Sequence, residues 1–331
     1  MCILHLLRIN SKKYTLMKLN FLKIGAVALT SLLIVTTSCS EEGIEITEEV
    51  NESQLPKDVL NKVLELKLDP KGFEVREVGN LDGTTRQVVI TSGDMAMDKD
   101  RFLQIPAGND GVSKQYQTEF IIDTDIHPEV NIIVYTGGPI FDGDNNLIVE
   151  GLSEAAQQGV KDAVENWNSV WGSKLKLKAD FSASPNFDPD FYETAISIAP
   201  FLDGFSGFAD FPDADGNPGD FLRISPGANA AAGFPDAIEH LITHELGHAI
   251  GFRHTDWNSR QSCVDQGLED APSVETDPPA RIFGTLPSIP GILEQEDSIM
   301  NACFGETDGE LNFFDENGLR RLYRGFSYGD Y

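Results

Sequence analysis

The chain has 331 residues and carries 25 Lys+Arg against 53 Asp+Glu, a formal net charge of −28. Such acidity repels a phosphate backbone and excludes nucleic acid as a partner. A hydrophobic fraction of 40% is enough for a packed core, and the length suits one domain with a smaller companion.

Residues 1–39 read as an export signal. Met17–Lys23 is a basic leader and Ile24–Val35 an apolar stretch too short to span a membrane. The small residues before Cys39 resemble a loose bacterial lipobox, which would make Cys39 the lipidated N-terminus. The alternative is an ordinary signal peptide with an incidental cysteine. Lipidation implies an exported protein anchored in the outer membrane through Cys39. Ser40-Glu41-Glu42 resembles an acidic tag for surface exposure. Residues 40–55 are acidic and poor in apolar side chains, and read as a disordered tether.

Residues 56–120 read as a small α+β unit. Lys57–Leu66 has a helical spacing of Leu60, Val63 and Leu64, and Gly72–Val78 and Thr84–Thr91 read as strands. Within 121–331, Asn131–Thr136 is an apolar strand, followed by a long helix over Gly151–Trp171. That helix repeats Leu152, Ala156, Val160, Ala163, Trp167 and Val170, although Gly159 inside it costs about 1 kcal/mol relative to alanine. Ala195–Pro200 and Phe221–Ser225 are further strands. Asp142–Asn146 and Asp213–Asn217 crowd oxygen ligands into turns. Neither is an EF-hand, because Leu147 and Pro218 stand where glycine is needed, and Ser153 and Ile224 where glutamate is. Calcium there is the alternative to plain solvated turns.

The densest chemistry is His244-Glu245-Leu246-Gly247-His248-Ala249-Ile250-Gly251-Phe252-Arg253-His254, an HExxHxxGxxH pattern at the end of a helix over Pro235–Ala249. His244 and His248 are four apart, so they share a face one turn apart, and each can reach one Zn²⁺ at about 2.0–2.1 Å. Glu245 falls beside the metal, placed to take a proton from water and deliver it to a leaving amine. Gly251 turns the chain back, and His254 arrives as the third ligand. Three protein ligands leave one position open, the mark of a catalytic zinc. His240 reads as a neighbour of the site or a surface residue. Asp256 reads as an acceptor that orients a ligand histidine, or as a surface aspartate.

This pattern resembles the metzincin metallopeptidases, and HELGHAIGFRHTD is similar to the HEIGH-type secreted metallopeptidases of Bacteroidota. The resemblance implies an α+β catalytic domain: a twisted mixed sheet, two long helices, and a methionine turn beneath the metal. Asp297–Asn301 fits that turn, with Met300 as the floor. Asp315–Tyr323 resembles the closing helix of matrixin-like members, and Gly151–Trp171 their first helix. Where some relatives carry a switchable tyrosine ligand, this chain has Ala302. By the same resemblance, Gly204–Phe211 is the candidate edge strand for a substrate peptide.

Latency is expected of a secreted protease. No cysteine lies between Ser40 and Asp256, which excludes a thiolate on the zinc. Ile90–Met95 resembles the FxGD element of astacin-type pro-segments, with Thr91 in the phenylalanine's place. Asp94 is therefore the candidate aspartate switch, or else part of a simple Gly-Asp turn. Activation would need a cut in Gly108–Gln117, where Lys114 is a basic site. Cys263 and Cys303 are the cysteines left in an exported chain and are expected to pair, free buried thiols being the alternative. The expectation is a monomeric zinc endopeptidase acting on polypeptides. The rivals are a zinc-binding surface lipoprotein without catalysis, and a zinc amidase acting on cell-wall peptide.

Overall fold

In the computed structural model, residues 55–324 are described except 67, 69, 92, 106–115, 119, 258, 270–279, 283–296 and 304–307. The expected export signal, the expected lipobox at Cys39 and most of the expected tether lie outside them, as does most of the expected activation segment. Among the described residues no helix is long and apolar enough to cross a membrane.

The elements run α1 (Lys57–Glu65), β1 (Phe73–Gly79), β2 (Thr85–Thr91), β3 (Met95–Asp98), α2 (Lys99–Gln104), β4 (Tyr116–Gln117), β5 (Glu129–Tyr135), β6 (Ile140–Phe141), β7 (Leu147–Val149) and α3 (Glu154–Ser169). They continue with β8 (Lys176–Ser182), β9 (Thr194–Ile198), β10 (Gly207–Asp210), β11 (Phe221–Ile224), α4 (Pro226–Asn229), α5 (Pro235–Ala249), β12 (Phe252–Arg253), α6 (Gln261–Asp265), β13 (Ala280–Arg281) and α7 (Phe313–Leu322).

An eight-stranded mixed sheet in the order β1-β2-β3-β10-β11-β9-β5-β8 forms the frame. β9, β5 and β8 run parallel, and β1, β2 and β3 form an antiparallel meander. The architecture is α+β, with a mixed sheet and two long helices, α3 and α5.

Those helices pack on one face of the sheet. Ala156, Val160, Ala163 and Trp167 of α3 meet Ile238, Leu241, Ile242 and Leu246 of α5 in the main core, together with Ile132, Val134 and Ile196 of the sheet. Gly159 lies at their crossing, where a Cβ would come 2.7 Å from Ile238 Cγ2. The propensity cost expected of this glycine is outweighed by close packing of the two helices. Trp167 Nε1 donates to Thr243 O at 3.0 Å, fixing α3 against the segment that carries the zinc motif.

β10 differs from expectation. Gly204–Phe211 reads as an edge strand, but in the structure β10 pairs antiparallel with β11 on one side and parallel with β3 on the other. The sequence cannot reveal this because β3 is a four-residue strand more than a hundred residues away. The meander's face toward α1 and α2 is closed by its own cluster of Val59, Val63, Phe73, Val89 and Phe102. Its other face packs Val78, Val88, Ile90 and Ala96 against Ala199, Phe208 and Phe221.

Cys263 and Cys303 form a disulfide across a separation of 40 residues. Replacing both cysteines with serine should lower the stability of the oxidised protein by about 2–4 kcal/mol, since a loop of that length gains substantial unfolded-state entropy when opened. Chemical denaturation of the variant beside its parent measures this.

Candidate metal centre

α5 places His244, Glu245 and His248 on buried turns, exposed by 2%, 1% and 0% respectively. The helix ends at Ile250, and Gly251 takes φ +97°, a left-handed conformation that reverses the chain at little cost. β12 then carries His254 back under the helix, fully buried.

Two of the imidazoles are aimed by backbone carbonyls. His244 Nδ1 donates to Ile299 O at 2.7 Å, and His248 Nδ1 donates to Phe252 O at 2.9 Å. These bonds put the proton on Nδ1 and leave Nε2 as the lone-pair donor toward the centre. His254 Nε2 lies 3.3 Å from His244 Nε2. Burial, with the neighbouring His244 and His254, pushes His248 well below the usual imidazole range, which keeps it neutral as a ligand must be.

A fourth donor reaches the same point. Asp94, in the turn between β2 and β3, places Oδ2 3.1 Å from His254 Nε2 and 3.6 Å from His244 Nε2. Its backbone is fixed too, since Ala209 N of β10 donates to Asp94 O at 3.0 Å. Burial opposes ionisation of Asp94, but the imidazoles of His254, His244 and His248 outweigh it and hold the carboxyl well below the usual carboxylate range. Ligand atoms of Asp94, His244, His248 and His254 all lie within 4.8 Å of one another. Tetrahedral zinc with bonds of about 2.0–2.1 Å spaces its ligands by about 3.3 Å. Among the described residues His248 Nε2 is buried without a hydrogen-bond partner, as an inward-facing donor would be. The residues fit zinc.

Glu245 is not among these donors. Its carboxylate lies against β10, where a Cβ on Gly207 would come 2.8 Å from Glu245 Oε1. Burial, then the negative Asp94, push it well above the usual range, against the opposing His254. Any side chain at 207 would displace this carboxylate.

Met300 lies under the motif: a Cβ on Gly247 would sit 2.3 Å from Met300 Sδ. Met300 O accepts from Thr255 N at 2.8 Å, tying the turn to the residue after His254. The turn is held from below by Asp315, the third residue of α7. Asp315 Oδ1 accepts from Ser298 Oγ at 2.6 Å, and Oδ2 from Ile299 N at 3.1 Å and Asn312 N at 3.0 Å. Asp315→Ala should lower stability by about 3 kcal/mol, because buried donors lose a charged acceptor, and should weaken zinc binding through Ile299. Thermal melting and zinc titration read the two effects.

Asp256 serves neither role expected of it. Its Oδ1 accepts from Ala302 N at 2.9 Å, and its Oδ2 accepts from Ser262 N at 3.0 Å and Ser262 Oγ at 2.6 Å. It clamps the chain after the zinc motif to the chain after Met300. His240 is 1% exposed, and burial, with His244 beside it, pushes its pKa down to about 3. It lines a cavity of about 330 Å³ with Asp297, Ile299 and Leu311.

The acidic turns are closed by their own hydrogen bonds. Asp142 Oδ1 accepts from Asp144 N and Asn146 N, and Asp213 Oδ1 from Asp215 N and Asn217 N. EGTA at constant free zinc is expected to leave Tm unchanged, and a fall of several degrees would instead favour calcium in these turns.

The family model of dual-action HEIGH metallo-peptidases matches residues 89–323. The chain belongs to this family. With its histidine triad in place, this HEIGH metallopeptidase is a zinc-dependent hydrolase whose substrates are polypeptides. Its disulfide is of a kind that persists in oxidising surroundings, outside the cytoplasm. No curated protein matches the chain. Among solved structures, it is similar to myroilysin at 11% identity, covering 59% of this chain and 80% of that one with a TM-score of 0.31. It is also similar to high choriolytic enzyme 1, a hatching enzyme zinc-protease from the medaka fish Oryzias latipes. That match has 12% identity, covers 62% of this chain and 93% of that one, and has a TM-score of 0.33.

Proposed function

We propose that this HEIGH metallopeptidase is an endopeptidase made in a latent form, with Glu245 as its base and Asp94 as its restraint. The observation that carries this reading is the convergence of Asp94 with His244, His248 and His254, while the Glu245 carboxylate stands outside the donor set. Zinc bound by the histidines supplies a Lewis acid that polarises the scissile carbonyl. Glu245 takes the proton of the attacking water and hands it to the leaving nitrogen. Met300 supports the helix beneath the ligands. Asp94 holds the position that water and substrate need, so the turn must withdraw before catalysis.

Cys39 carries a lipid that anchors the protein, as a monomer, on the outer membrane facing outward. Cys39→Ala should abolish palmitate labelling and release the protein from membranes; retention of both would remove the anchor from this account.

The decisive test of the activity uses the full chain carrying Asp94→Ala. Casein cleavage that stops with a zinc chelator and returns with added zinc supports an endopeptidase. Cleavage confined to short cell-wall peptides would favour the amidase. A folded, zinc-loaded chain that cleaves neither would favour a binding protein.

A further inference from the structure

The meander that carries Asp94 is built into the catalytic sheet. β1, β2 and β3 are three of its eight strands, and β3 covers the flank of β10. Two cations of this unit reach carboxylates beyond it. Arg101 of α2 pairs with Asp210, which is fully buried, and also donates to Phe211 O and Pro212 O. Arg86 of β2 pairs with Asp220. In the opposite direction, Arg223 of β11, 1% exposed, donates to Gly79 O of β1 at 3.2 Å. Between these anchors, Val78, Val88, Ile90 and Ala96 share one apolar cluster with Ala199, Phe208 and Phe221. Departure of the unit would expose two phenylalanines, cost Asp210 its arginine partner and Arg223 one of its three carbonyl acceptors, and open β10 as a bare edge.

We propose that the unit from α1 to α2 is a permanent partner of the catalytic face, which stays docked through β10, β11, Asp210 and Asp220 after the connecting chain is cut. Opening of the metal site then requires only the Asp94 turn to withdraw, a second step that rests on the latency reading above. The meander is thus a wall of the working enzyme, and its tip is the gate.

The test inserts a specific-protease site between Ile105 and Tyr116 of the full chain. The protein is cut and passed over a sizing column in native buffer at low concentration. Both fragments are expected in one peak at equal ratio and at the size of the uncut protein, separating only in denaturant. Elution of the N-terminal fragment by itself in native buffer overturns the proposal, whether or not the remainder stays soluble. Activity of the same sample separates the two readings. A cut chain that remains inactive, with both fragments together, supports both. A cut chain that becomes active with both fragments in one peak supports docking, and the uncut Asp94→Ala chain then tests the restraint: it should already be active, and an inactive one sinks Asp94.

Discussion

Glu245→Gln, introduced into the Asp94→Ala chain, is expected to lower kcat/KM for casein by about 10²–10⁴-fold, the usual contribution of a positioned general base. Glutamine keeps the shape of the side chain and its place against Gly207, so the lost activity would reflect the missing proton acceptor. Stability should not fall. The Glu245 carboxylate is 1% exposed, and its Oε2 makes no hydrogen bond among the described residues. A neutral amide removes the cost of ionising a buried acid. Zinc content should also hold, since the donors left in the Asp94→Ala chain are His244, His248 and His254, and Glu245 is not one of them. The measurement is steady-state cleavage beside metal analysis and melting of the same samples. Activity within tenfold of the parent, with zinc intact, would mean that the proton goes elsewhere.

Asp94→Ala carries the second large effect, in the opposite direction. The unaltered chain presents four donors in tetrahedral reach, which is the pattern of a closed metal site, whereas catalysis needs one position open. Removing the carboxylate leaves three imidazoles and should raise cleavage by the full chain at least tenfold. The variant should also bind zinc more weakly, having lost a charged donor, so the comparison belongs at fixed free zinc. Latency unchanged by the substitution would show that some other segment blocks the cleft. Asp94→Asn is an informative control: an amide oxygen is a poorer ligand than a carboxylate, and intermediate activity is expected.

Much of the site could be read from local spacing, because its physics is local. His244 and His248 are separated by one helical turn, Gly251 marks the reversal, and His254 follows within the same short stretch. The long helices were legible for the same reason: α3 and α5 bury stripes of helical period that a window of sequence contains entire. What could not be read depends on partners distant in the chain. β3 is four residues long, and nothing in Met-Ala-Met-Asp says that it lies beside β10. The expected edge strand is therefore an internal one. The groups that aim His244 and His248 are carbonyls of Ile299 and Phe252, which any residue type would supply, so no side-chain signal announces them. Asp256 carries the right chemistry for orienting a ligand, but backbone amides of the Met300 segment and α6 claim it instead. Asp94 is the informative middle case. Its Gly-Asp pair suits a turn as well as a switch, and only the fold brings that turn onto the histidines.

The disulfide has a bearing on the order of events in the life of the molecule. Cys303 lies just beyond Met300, and its N–H donates to Ser262 Oγ, which in turn donates to Asp256. The same stretch of chain carries the Ile299 carbonyl that holds His244 in register. Loosening a group that orients a metal ligand typically costs 10–100-fold in metal affinity. Thiol oxidation and metal loading are therefore expected to be coupled. Zinc titration of the reduced and the oxidised protein should show weaker binding by the chain whose Cys263–Cys303 bond is open.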